Sequence, residues 1–88
     1  MFDFGCTIEE ILLPKKTRND YHVIPIIVEF TYKGKPQLRY MQCVTTQAKN
    51  DLIGLKSGDK VTIKVALKGT RKDGKCFNLD EILSIIKI

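Results

Sequence analysis

The chain has 88 residues, enough for one domain that buries roughly 60 to 65% of its unfolded surface, a small barrel or sandwich core without room for an elaborate active site. Fifteen Lys and Arg against 10 Asp and Glu leave a net charge of +5, which favours an acidic partner such as nucleic acid. No apolar run approaches the length of a membrane span, and Met1-Phe2-Asp3-Phe4-Gly5 lacks the basic region and apolar stretch of a signal peptide, so a cytoplasmic protein without a membrane role is expected.

Taken in order, nearly every segment reads as strand. Phe2 to Leu13 mixes aromatic and β-branched residues and stops at Pro14, where a loop containing Lys15, Lys16 and Arg18 begins. Tyr21 to Tyr32 is a long strand with Ile24, Ile26, Val28 and Phe30 on one face and Ile27, Glu29 and Thr31 on the other. Pro25 lacks a backbone donor, which places it near an edge, a bend or a strand start. Lys33-Gly34-Lys35-Pro36 then reverses the chain into a third strand, Gln37 to Thr45, making an antiparallel hairpin.

One helical signal follows: Thr46 as cap, Gln47 to Ile53 as about two turns, and Gly54 as the stop. After the turn Leu55 to Lys60, the fourth strand Val61 to Lys68 is apolar at every second position, with Val61, Ile63, Val65 and Leu67 directed to a core. Its outward row is Lys60, Thr62, Lys64, Ala66 and Lys68. From Lys60 to Lys75 there are six cations, while Asp59 borders the stretch and Asp73 lies inside it. Asp73-Gly74 is a strong hairpin signal leading to a fifth strand from Phe77. In that strand Ile82, Leu83, Ile85, Ile86 and Ile88 are too dense for alternation, which predicts cover on both faces or a homo-oligomeric contact.

Cys6, Cys43 and Cys76 are widely separated and His22 is the sole histidine, so the expectation is small buried thiols in a reducing compartment and no metal site. Cys-His catalysis finds no orienting carboxylate in the spacing. Glu9-Glu10 and Asp80-Glu81 are adjacent pairs that point to opposite strand faces, and the Gly69 to Lys75 loop is followed by a strand instead of a phosphate-binding helix. A non-enzymatic protein without cofactor or small-molecule substrate is the reading.

The order of three strands, a short helix and two strands is that of an OB-fold, an all-β five-stranded barrel with one helix between strands three and four, occupying residues 1–88. Within it, Leu55, Gly58, Val61, Ile63 and Leu67, followed by the basic Thr70-Arg71-Lys72, resemble the single-stranded-DNA-binding (SSB) family. Gly58-Asp59-Lys60-Val61 and Gly74-Lys75-Cys76-Phe77 are similar to small SSB-like proteins of bacteria and their viruses. The match covers residues 48 to 80 in motif and the first half only in strand order. Val65 stands where that family has a glycine, there is no tryptophan, and no acidic tail follows Ile88.

A single-strand binder requires cations that track phosphates and flat side chains on which bases stack. The candidates are Lys33, Lys35 and Arg39 on the first hairpin and Lys64, Lys68, Arg71, Lys72 and Lys75 on the second. If Met41 and Cys43 point inward, Tyr40 points outward as the leading stacking residue, followed by Tyr32 and Phe77. The expected function is sequence-tolerant binding of single-stranded DNA, as an accessory to replication, recombination or repair. RNA binding or an OB-fold protein-interaction module are the alternatives.

Overall fold

The computed structural model describes residues 1–17 and 21–88; Arg18, counted above among the cations of the first loop, lies outside the described residues. Its strands are β1 (Phe2–Ile11), β2 (Lys15–Lys16), β3 (His22–Tyr32), β4 (Lys35–Cys43), β5 (Lys60–Lys72) and β6 (Lys75–Lys87), with α1 (Thr46–Asp51) between β4 and β5. β1, β5, β6, β4 and β3 pair in that order, and β1 pairs back onto β3, so five strands close into an OB-fold barrel. All pairings are antiparallel except β4 with β6, a parallel contact of two rungs, Gln42 with Glu81 and Cys43 with Ile82. The two-residue β2 was not expected; it extends the sheet at β3 by pairing Lys15 with Val23 and Lys16 with His22. Pro25 sits where β3 changes neighbour from β2 to β1, and its carbonyl accepts the Leu12 N–H.

Alternation sets what is buried. Ile26 and Val28 from β3, Met41 and Cys43 from β4, Val61, Ile63 and Val65 from β5, and Ile82 from β6 form the core, with Ile24 and Phe30 packed against it. The expected inward face of β3 is therefore the observed one. Of the three cysteines expected to be buried, Cys6 and Cys43 are, while Cys76, next to the second hairpin turn, is exposed; burial pushes the first two thiols up from 9.0 to about 11 and about 12. For Cys43, the nearby Asp51 charge adds to burial and Lys49 opposes it. These raised values favour the fold below pH 9, and that contribution is lost as the pH climbs through the folded-state values.

The crowding of apolar residues in the last strand has a local cause. Lys64 pairs with Ser84 and Val65 with Ile82, so Leu83 is an extra residue in β6. This β-bulge shifts the phase of the strand and lets Ile82 and Ile85, three apart, both face the core. Ile86 and Ile88 are left exposed.

Both long hairpins turn on two residues with positive φ, Lys33 and Gly34 (51° and 77°) and Asp73 and Gly74 (53° and 77°). That is the backbone of a type I′ turn, whose twist matches the paired strands. Because β4 and β6 run parallel, the two hairpins leave the barrel at the same end. Leu67 lies in the projecting part of β5. Expected in the core, it is 64% exposed, because its strand has passed the end of the barrel and its inward side borders an open cavity there instead of packed core.

The other end is closed by α1, which buries Ala48 and is followed by buried Leu52. Its cap is Thr45, not Thr46: Thr45 holds the extended backbone of a cap, and its hydroxyl accepts the Ala48 N–H at 3.0 Å while donating to the Leu83 carbonyl at 2.7 Å. Asp51 accepts the Ile85 N–H at 2.9 Å. The helix is thus tied to the bulged segment of β6. Thr45→Ala is expected to cost about 1 to 2 kcal/mol of stability, since a cap and a bond to β6 are lost together. Urea unfolding measures this, with Thr46→Ala as a control that changes little.

Candidate nucleic-acid interface

Strand parity divides the candidate residues between two faces. On β4, Met41 and Cys43 are buried, so Leu38, Tyr40 and Gln42 occupy the outer side, as expected for Tyr40. On β5 and β6 the outer side carries Lys64, Lys68 and Lys72, with Phe77 opposite Thr70 and Leu79 opposite Lys68. The inner side of the hairpins carries Lys35, Arg39 and Arg71. Tyr32 falls on the same side of its strand as Phe30, away from Tyr40. The outer face therefore combines two of the three expected stacking residues, Tyr40 and Phe77, 46% and 51% exposed.

A groove of about 550 Å³ crosses this outer face, walled by Thr17 and Tyr21 on one side and by Lys68 and Leu79 on the other, with Gln42 and Glu81 among its lining. Neither Tyr21 nor Leu79 is among the candidates read from the sequence. Tyr21 stands just before β3, where β2 pairs antiparallel with that strand and the Thr17 N–H donates to the Tyr21 carbonyl, a pairing that local pattern does not reveal.

The electrostatics are uneven. The Lys15 ammonium lies over the Tyr40 ring, 5.4 Å from its centroid, a cation-π contact from β2 to β4. Gln42 Nε2 donates to the Tyr40 hydroxyl at 3.3 Å. Partial burial pushes that hydroxyl up, but hydrogen bonds with Lys15 and Gln42 and the Lys15 charge outweigh it and bring it below its ordinary 10.0. Lys68 pairs with Glu81 at 3.0 Å, so part of its charge is already balanced. Lys64 lies further from the hairpin tip, opposite Asp3 of β1. Arg39 donates from Nε to Asp80, a carboxylate only 8% exposed, and this hydrogen bond raises the guanidinium above its ordinary value.

At the hairpin tips the balance is positive. Lys72 pairs across the strand with Lys75, and in the other hairpin Lys33 is a turn residue and Lys35 follows the turn. Lys33 also lies 5.4 Å from the centroid of the Tyr32 ring. Such an arrangement can hold a flexible polyanion between two arms and offer flat side chains along one face.

No family model matches the chain, and no curated protein matches it in sequence. Among solved structures it is similar in fold to the crystal structure of a small single-stranded DNA-binding protein from Streptomyces coelicolor. That likeness has a TM-score of 0.56 and 12% sequence identity, and spans 99% of this chain and 92% of the other.

Proposed function

We propose that this protein binds single-stranded DNA through the outer face and the two basic hairpins, with little preference for sequence. The observation that carries the reading is the joint placement of Tyr40 and Phe77 on one exposed face, beside hairpin tips carrying Lys33, Lys35, Lys72 and Lys75. An OB-fold of similar shape in a protein named for single-stranded DNA binding supports it. In this reading Lys33, Lys35, Arg71, Lys72 and Lys75 meet phosphates, Tyr40 stacks, Lys68 contributes at the wall of the groove, and Lys64 contributes from the outer row of β5. Arg39 serves mainly to hold Asp80. The chain is then a single non-enzymatic domain that accompanies replication, recombination or repair, and RNA is the variant ligand.

A second reading rests on Ile86 at the end of the last strand and Ile88 just after it, whose exposure suits a contact with another copy of the chain or another protein.

The test is affinity for an oligothymidine strand against a duplex of equal length. The single strand is expected to bind more tightly, because its bases are open to the outer face. Tyr40→Ala should weaken that binding by about 1 to 3 kcal/mol and leave its salt dependence nearly unchanged. Equal affinity for strand and duplex would refute the reading.

A further inference from the structure

We infer that the open mouth of the barrel, between the two hairpins, is a pocket for one unstacked nucleobase, separate from the outer face along which the strand lies. This rests on the single-strand reading above and assigns it a second point of contact.

The mouth is the end opposite α1. A cavity of about 310 Å³ opens there, walled by Phe2, Phe4, Phe30, Val65 and Leu67. Phe4 and Phe30 meet edge to face, with ring centroids 5.1 Å apart and planes at 70°. Core packing does not account for the outer part of this wall, since Phe2 is 45% and Leu67 64% exposed. A concave, largely apolar pocket with a few polar groups in a barrel mouth is the usual form of a small-ligand site.

The polar groups are Arg39 and Asp80, which also line the cavity. Their bond uses the arginine Nε and one carboxylate oxygen. The guanidinium amino groups and the second carboxylate oxygen remain outside that bond, so donors and an acceptor stand side by side at one wall. The edge of a nucleobase carries the complementary mixture.

Charge decides between a base and an apolar peptide segment. Lys35 shares the inner side of β4 with Arg39, and Arg71 shares the inner side of β5 with Leu67, so a cation stands on the inner face of each hairpin. A base turned out of a strand brings a phosphate on either side of its sugar, and both cations then gain a partner. An apolar segment would leave them without one and would cover them at a desolvation cost.

The test uses the full chain carrying Phe2→Ala and Leu67→Ala together. Both side chains are substantially exposed, so the fold is expected to persist, as circular dichroism and a thermal melt will establish; Leu67→Met serves as a second, volume-keeping variant. The double variant should bind oligothymidine roughly 5- to 150-fold more weakly, the fold-change for loss of one base contact, with an unaltered salt slope. Leu67→Met, which keeps the apolar volume of the wall, should lose far less affinity than the double variant. A strand of abasic sugar phosphates should be held equally by the unaltered chain and the double variant.

Unchanged affinity of the double variant for oligothymidine, with the salt slope intact, would overturn the pocket and leave the outer-face reading standing. Absence of salt-dependent binding in the unaltered chain would overturn both. Self-association that disappears in the double variant would give the mouth to a second copy and overturn the assignment to a base.

Discussion

Raising the salt concentration from 50 to 200 mM is expected to weaken binding of a single-stranded oligonucleotide by roughly 20- to 130-fold. Neutralising about 3 to 5 phosphates releases counterions, and each contributes about 0.7 to the log-log slope for single strands. The cations best placed to do so stand at the hairpin tips. Lys72 and Lys75 oppose each other on the last rung of β5 and β6, and among the described residues no carboxylate forms an ion pair with either. Replacing both by Ala should lower the slope by about 1.4 units, two phosphate contacts at 0.7 each. Lys68→Ala should lower it by less, because Glu81 already lies 3.0 Å from that ammonium. Anisotropy titrations at four salt concentrations separate these outcomes. A flat response in the unaltered chain would replace the nucleic-acid reading with a protein-interaction role, since an apolar interface holds or strengthens as salt rises.

The largest effect on stability is expected from Ile82→Ala, at about 2 to 5 kcal/mol. Ile82 is fully buried and stands at the joint that closes the barrel, paired with Cys43 of β4 on one side and with Val65 of β5 on the other. Removing its side chain leaves a cavity that two rungs of parallel pairing are poorly able to collapse. Domains of this size have total stabilities of only about 5 to 15 kcal/mol, so the variant is expected to melt at least 10 °C or so lower. Leu67→Ala, also apolar and on the same face of β5 as Val65, should change stability by less than about 0.5 kcal/mol, because it lies beyond the barrel end. Parallel urea and thermal unfolding of the two variants checks the contrast, and equal losses would show that the mouth is packed more tightly than the exposure of Leu67 implies.

Much of the architecture was determined by sequence alone, because it follows from local periodicity. Alternation in Tyr21 to Tyr32 and in Val61 to Val65 assigned the inward faces correctly, since a strand half in water has only two sides and the apolar one turns in. Asp73-Gly74 marked the second hairpin through the positive φ its turn needs, and Lys33-Gly34-Lys35-Pro36 marked the first, although only Lys33-Gly34 form the turn and β4 already starts at Lys35. The outward direction of Tyr40 followed from Met41 and Cys43 by the same two-residue repeat.

The tertiary structure decided what depends on where a strand stops being covered and on what lies across from it. Alternation continues through Leu67 and Arg39, yet one is exposed and the other binds Asp80 at a mouth, because only the position of the barrel end says whether an inward side chain meets a core. The cations Lys64, Lys68 and Arg71, close in sequence, divide between two faces and differ in their carboxylate neighbours, and that distribution of charge is set by pairing between distant strands. The bulge at Leu83 likewise arises from registering β6 against both β5 and β4, a condition imposed by closure that no local pattern of apolar residues contains.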